Sequence, residues 1–344
     1  MYHYLIVGGG IAGWSLAWEL RKRQKTFVLF DRGEPKATTA SAGLYNPVIL
    51  KRFTPAWKAS EFLEYALLQY HSAEMQTGKK SVFSIKIYRK IHSAGEQNQW
   101  DTASQHPGMK KYMRNIVHEQ IPGIEAPFGF GVLENTGIVD TASLLTTLHR
   151  ELKQKKLLFP YRFEHENLQL HPDYIEYEGI RARNIIFAEG FGMKKNPFFK
   201  HLPMTGTKGE ALIVETEMPP EVIIKSNIFL APIPQTRQSL VGSTYDWTDK
   251  TSTPTAQARK NLSDKLQSLY RLPFKIIGQK AGIRPTVKDR RPLLGRHSEN
   301  PRLWIFNGLG TRGIILAPKL AKILLDHIEF GLPLLPETDI KRFG

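Results

Sequence analysis

The chain opens on an unbroken apolar run, Tyr2–Val7, that passes straight into Gly8-Gly9-Gly10. A continuous run of that kind marks a strand covered on both faces, as in a parallel sheet. From Ile11 the period changes. Ile11, Trp14 or Ser15, and Trp18 share one helical face with Leu16 and Leu20 beside it, which predicts a helix to about Arg23. Thr26–Phe30 predicts a second strand that ends on Asp31. Farther along, the pattern predicts a long helix over Ala56–Glu74 and a partly alternating strand over Val82–Arg89. A helix over Thr141–Leu152 opens behind Asp140, and Asn184–Ala188 reads as a buried strand. Strands at Ala211–Glu215, Val222–Leu230 and Ser239–Thr244 precede an amphipathic helix over Ala256–Leu269. The strand Leu303–Phe306 leads through a glycine-rich turn into a helix that starts near Ile314 and runs to about His327. No internal repeat or low-complexity linker interrupts this order.

The first turn carries the earliest chemical signal. Gly8, Gly10 and Gly13 spell G-x-G-x-x-G between strand and helix, with Ile11 and Ala12 inside the motif. Gly8 suits a tight turn, Gly10 a close backbone approach to a pyrophosphate, and Gly13 close packing of helix on strand. The free N–H groups and positive end of the helix then face the phosphates. Asp31 stands about 20 residues on, where a carboxylate takes ribose hydroxyls. Strand, turn, helix, strand and terminal acid together predict a dinucleotide site, without deciding between FAD and NAD. An ordinary NAD enzyme would next begin another strand–helix repeat. This chain gives Arg32-Gly33-Glu34-Pro35, then Thr38-Thr39-Ala40-Ser41-Ala42-Gly43 and Leu44-Tyr45-Asn46-Pro47. Small residues suit a loop that passes close to a flat cofactor, so Arg32, Ser41, Ala42 and Gly43 join the candidate contacts.

The carboxyl-terminal part decides the matter. It reads Ala281-Gly282-Ile283-Arg284-Pro285, then Asp289, Pro292 and Gly295, then Asn307-Gly308-Leu309-Gly310-Thr311-Arg312-Gly313 and on to Ala317-Pro318. Downstream of an amino-terminal G-x-G-x-x-G, this resembles the D-amino-acid-oxidase-like family of FAD-dependent oxidoreductases. Its members include glycine and sarcosine oxidases and the oxidase module of a bifunctional tRNA-modifying enzyme. The likeness extends through Gly137–Asp140, Glu189-Gly190, Gly206–Glu210 and Val241–Thr244. It implies an α/β class, α+β overall, in which a Rossmann-type FAD-binding domain is interleaved with an antiparallel-sheet substrate domain. Residues 1–80, 135–205 and 275–344 would form the first, and 81–134 with 206–274 the second. It also implies FAD as cofactor, and the absence of cysteine favours non-covalent attachment.

The same resemblance assigns roles. Arg284 would clamp a substrate carboxylate, and Arg312 would contact substrate or anchor its loop. Gly190, Gly308, Gly310, Thr311, Arg312, Gly313 and Ile314 would lie against the flavin. The N–H groups of Gly310 through Gly313 would supply a positive field for the reduced ring. Tyr45 and Tyr245 are further pocket candidates, although a buried tyrosine is more often a packing residue, and His297 is expected on a surface turn. Two departures stand out: Phe229 where relatives often carry tyrosine, and Glu189 where they carry a small residue.

Composition trims the alternatives. With no cysteine, disulfides, thiolate metal sites and cysteine nucleophiles are excluded. The eleven histidines show no metal-ligand spacing, so no metal site is expected. No stretch reaches the roughly 18 apolar residues that span a bilayer, and no leader precedes the first strand, so a cytoplasmic protein without a membrane partner is expected. The net charge of +16 attracts anions, but the basic residues fall in dispersed pairs such as Lys79-Lys80 and Lys194-Lys195. The expected activity is oxidation of the C–N bond of a small carboxylated amine such as glycine or sarcosine. Oxidation of a carboxymethylaminomethyl group on a tRNA uridine is the second reading. A flavin dehydrogenase that passes electrons to a partner is the third. The sequence leaves the oligomeric state open.

Overall fold

Leu5 and Val7 face one side of the first strand and Tyr4 and Ile6 the other, and both sides are covered. The same alternation recurs in Phe27–Phe30, in Ile185–Phe187 and in Leu303–Phe306. These strands form one sheet in the computed structural model, which describes residues 1–33 and 37–344. Glu34 and Pro35, expected in the loop after Asp31, lie outside the described residues. Within this sheet Leu158–Phe159, Phe27–Phe30, Tyr2–Val7, Ile180–Phe187 and Leu303–Asn307 run parallel in that spatial order. Their ends are in register: Phe159, Phe30, Val7, Phe187 and Ile305 form one row. The residues just beyond that row, Asp31, Gly8 and Ala188, share one edge, the carboxyl end where parallel sheets bind ligands.

Four helices cover one face of this sheet: Ile11–Lys22, Ala59–Thr77, Thr141–Gln154 and Gly313–Phe330. Their ends follow local chemistry. Asp140 accepts from Ser143 N at 3.0 Å to cap the third, and Gly78 and Gly331 take left-handed φ values of 66° and 67° to close the second and fourth. The opposite face is aromatic, with Phe163 stacked on Tyr177 at 4.0 Å beside Phe30 and Phe187.

A second, eight-stranded sheet takes its strands in the order 275–284, 207–215, 238–242, 229–232, 222–225, 86–90, 130–133 and 113–117. It is antiparallel except where Val222–Lys225 runs parallel to Lys86–Lys90. The helix Ala256–Leu269, capped by Thr255, packs on it. The mixed α/β architecture agrees with the expected fold class.

Several boundaries differ from the sequence pattern. The strand expected over Val82–Arg89 is two strands, Val82–Ser84 and Lys86–Lys90, in different sheets. Between them Ile85 N donates to Thr136 O at 3.1 Å, and Val82–Ser84 pairs with Gly137–Val139 in a small third sheet. Val222–Leu230 breaks into a hairpin, because Ser226 N donates to Ile228 O at 2.8 Å and turns the chain. The helix expected from Ala56 starts at Ala59, since Lys58 sits at a left-handed φ of 51°. Lys275–Arg284 forms a ten-residue strand that the pattern did not show.

The first and last helices are joined by a buried charge network. Arg23 reaches Glu19 at 3.1 Å, Asp326 at 2.6 Å and Glu329 at 3.1 Å, and all four side chains are between 7% and 14% exposed. Removing the cation leaves three carboxylates in poor contact with water. Arg23→Ala should therefore cost about 3–5 kcal/mol, read as a lower urea midpoint at unchanged slope. A loss under 1 kcal/mol would show that water reaches the site.

Candidate functional site

A cavity of about 1750 Å³ lies between the carboxyl edge of the parallel sheet and one face of the eight-stranded sheet. Most residues singled out from sequence meet in its wall. Gly8, Gly10, Ile11, Ala12, Asp31, Arg32, Ser41, Ala42, Gly43 and Gly190 line one part, and Arg284, Gly310, Thr311, Arg312, Gly313 and Ile314 another. Gly13 and Gly308 stand behind the wall. A Cβ on Gly13 would strike the carbonyl oxygen of Gly8, and one on Gly308 would lie 2.7 Å from Val287 Cγ2. Tyr245 lines the cavity and is 62% exposed. Tyr45 is buried away from it, its hydroxyl 3.4 Å from Ser84 Oγ. His297 is half-buried against Phe198 and Phe199.

The glycine turn presents backbone donors. Gly8 N, Ile11 N and Trp14 N donate to Phe30 O, Thr38 Oγ1 and Gly10 O. The N–H groups of Gly9, Gly10, Ala12 and Gly13 have no acceptor among the described residues. At the far turn, Gly310 N donates to Pro285 O at 3.1 Å and Arg312 N to Leu309 O at 3.2 Å. The expected donor series Gly310–Gly313 is thus reduced to Thr311 and Gly313, and the N–H of Ile314 joins them. The two helix starts are close: a Cβ on Gly313 would lie 3.0 Å from Ile11 Cγ2. Two positive helix ends therefore open into one space.

Two guanidinium groups share that space. Arg284 stacks over the backbone of Gly209 and donates through Nη2 to Ser243 Oγ at 2.7 Å. Its terminal nitrogens also reach Thr244 O and Lys208 O at 3.3 Å, and the Tyr245 ring lies 4.3 Å away. Arg312 donates through Nη1 to Asn46 O at 2.7 Å, and its Nε and Nη2 have no acceptor among the described residues. Burial lowers the pKa of both, yet a guanidinium stays charged. Arg312 therefore offers the freer donor edge, which its place in a glycine turn did not foretell.

Other functional neighbours carried no sequence signal, because distant segments bring them in. Thr38 holds Ile11 N at 3.1 Å, and His149 Nε2 lies 3.3 Å from Asp31 Oδ2. Glu189, flagged as a departure, is satisfied: it accepts from Asn196 Nδ2 at 2.7 Å and lies 2.9 Å from His165 Nε2. Below the sheet face, buried Lys208 pairs with Asp249 at 2.5 Å and with Glu210 at 3.5 Å. Lys208 first, then Thr251, holds the Asp249 carboxyl down at about 2. Among the described residues no group of three or more His, Asp or Glu is placed to hold a metal, and no helix is long and apolar enough to cross a membrane.

The family model for FAD-dependent oxidoreductases (DAO) matches residues 3–327. This chain belongs to that family. As a member it is an FAD-dependent oxidoreductase. The chain is 24% identical over 362 residues to glycine oxidase of Bacillus subtilis, covering 95% of this chain and 93% of that one. It is 35% identical over 339 residues to the bifunctional tRNA 5-methylaminomethyl-2-thiouridine biosynthesis protein of Maricaulis maris, covering 97% of this chain and 53% of the relative. The solved glycine oxidase of Geobacillus kaustophilus has the same fold, with a TM-score of 0.81 at 20% identity over 98% of each chain.

The glycine turn fits the cofactor of the family. Its unpaired N–H groups suit a pyrophosphate, and a Cβ on Gly10 would meet one protein atom within 4 Å, Thr38 Oγ1 at 3.3 Å, leaving it otherwise in the cavity. Gly10 and Gly13 therefore separate two effects. Gly10→Ala should fold normally and weaken FAD at least about tenfold, or about 1.4 kcal/mol, by filling the approach to the phosphates. Gly13→Ala should destabilise the protein itself, since a backbone carbonyl must move. Melting of the two apoproteins beside FAD titrations checks this, and equal FAD affinity for Gly10→Ala and wild type would remove the turn from the site.

Proposed function

We propose that this oxidoreductase oxidises the C–N bond of glycine or of an N-substituted glycine, of the sarcosine kind. The observation that carries the reading is the pair of half-buried arginines, one with an unpaired donor edge, in the same cavity as two helix starts. FAD, when bound, accepts the hydride that leaves the carbon beside nitrogen. The chain's own residues supply position and field. Gly9, Gly10 and Ala12 would take the pyrophosphate through backbone N–H groups, with Asp31 on the ribose and the 38–43 segment alongside. The N–H groups of Thr311, Gly313 and Ile314 would stabilise negative charge that gathers on reduction.

Arg312 would take the substrate carboxylate on Nε and Nη2, and Arg284, fixed by three protein oxygens, would add its charge. Loss of the hydride and the amine proton gives an imine, and water converts it to glyoxylate and the free amine. Phe229 lines the cavity beside Gly242, so that position presents a ring without a hydroxyl. In this reading segments 1–80, 135–205 and 275–344 hold FAD, except that Lys275–Arg284, as a strand of the eight-stranded sheet, joins 81–134 and 206–274 in shaping the substrate side.

A tRNA substrate is the second reading, favoured by the 35% identical relative and by lysines at the cavity, Lys51, Lys194, Lys195, Lys250 and Lys265. A carboxymethylaminomethyl group is itself an N-substituted glycine, so the arginines would serve both. Anaerobic flavin bleaching separates them. Free glycine or sarcosine should bleach the holoenzyme with mild salt dependence. Undermodified tRNA contacting six phosphates should lose about 10³-fold in affinity between 50 and 200 mM salt.

Lysine at either arginine keeps charge and loses the fork. Arg312→Lys and Arg284→Lys should each lower kcat/KM for carboxylated amines by about 10- to 150-fold, the scale of one charged hydrogen bond. Parent-like kinetics in both variants would reject the carboxylate clamp.

A further inference from the structure

The sheet face that forms one wall of the cavity can be followed residue by residue. Ala211 is opposite Gly242, Gly242 opposite Phe229, Phe229 opposite Lys225, and Lys225 opposite Arg89. Directly opposed residues point to the same face, and Ala211, Phe229 and Lys225 all line the cavity. The Arg284 guanidinium is held over Gly209 and Thr244, at the strands on the other side of Phe229. Lys225 therefore stands three strand spacings from Gly209, roughly 14 Å between backbones across the wall, a gap that an extended lysine side chain shortens by several ångströms.

Lys225 is only partly exposed and has no hydrogen-bond acceptor or acidic partner among the described residues. Its neighbour Arg89 is also a cation, and that charge is taken by Glu96 at 2.6 Å. Burial first, and Arg89 second, holds the Lys225 ammonium down at about 8. The contrast with Lys208 on the same sheet is direct. That lysine is 1% exposed and is met by Asp249, Glu210, Thr251 and Thr253. Where this fold buries an ammonium for structure, it surrounds it with oxygen. Lys225 has been left without such oxygen, at a wall that faces substrate. A cation drawn from water without a counter-ion is unfavourable until an anion arrives.

We propose that Lys225 is a second anion-recognition point of this cavity. It selects N-substituted glycines whose substituent ends in a carboxylate or phosphate and reaches across this wall from the carboxylate at the arginines. The proposal rests on the glycine-type reading above. It adds what that reading lacks, a determinant for the part of the substrate that does not react.

Two measurements on the holoenzyme test it apart from that reading. The first is binding without turnover: calorimetric titration with suberate, which carries two carboxylates, and with octanoate, which carries one. Suberate should bind about ten- to a hundredfold more tightly. The ratio should collapse toward one in Lys225→Met and persist in Lys225→Arg. The second is flavin bleaching by N-butylglycine, N-(3-carboxypropyl)glycine and N-(4-phosphonooxybutyl)glycine. The anionic tails should be preferred by a similar factor that Lys225→Met removes, and the last two probes tell carboxylate from phosphate. Equal binding of suberate and octanoate to wild type, or an undiminished preference in Lys225→Met, would overturn the proposal. If none of the amines bleaches the flavin while the suberate preference follows Lys225, the glycine-type reading falls and the anion site stands.

Discussion

The helix that begins at Ile11 can rest on the first strand only because position 13 has no side chain. The carbonyl of Gly8 occupies the place where a Cβ would be. That contact fixes where the helix starts, and hence where its unpaired N–H groups point. Pushed outward by a methyl group, the helix would carry those donors away from Asp31 and from the second helix start at Gly313. The segment 38–43 depends on it too, since Thr38 is held by Ile11 N and in turn accepts from Thr141 at 3.0 Å. One close approach between backbone atoms thus sets three walls of the site.

The parallel-sheet unit was legible in the sequence because its signals are local. Strand, glycine turn, helix and Asp31 follow one another within a short stretch, and each has its own periodicity or residue chemistry. The eight-stranded sheet was less legible for the opposite reason. Its strands pair across long separations, so a short run such as Val82–Ser84 belongs to whichever partner reaches it. Lys275–Arg284 escaped notice because most of it is half-buried and its two buried residues, Ala281 and Gly282, are adjacent, so no alternation shows. At the site, glycines could be read as backbone positions, while side-chain partners could not. Nothing near Arg312 in the sequence points to Asn46, and nothing near Glu189 points to Asn196. The behaviour of a charged side chain is set by which oxygen meets it, and that is a property of the packed chain.

Charge is distributed by one rule across the molecule. Arg23 and Lys208 lie within shells of carboxylates, carbonyls or hydroxyls, so their fields are cancelled locally. Around the cavity the cations and helix ends are compensated less completely, and their fields add. The net charge of +16 is a poor guide to this. Much of it sits on solvated lysines, while only a few of the cations line the cavity.

The order of strands in the parallel sheet also bears on how the chain reaches its native state. The first strand has as neighbours Phe27–Phe30 on one side and Ile180–Phe187 on the other, and the latter pairs in turn with Leu303–Asn307. A growing chain therefore exposes an unpaired apolar edge until more than half of it has been made. Because loop closure over such separations is slow, the amino-terminal unit must wait, with hydrophobic surface open, for its partners. Early capture of FAD by the completed turn would tip that wait toward the productive side. Flavin supply during synthesis would then set the yield of folded protein as well as its activity.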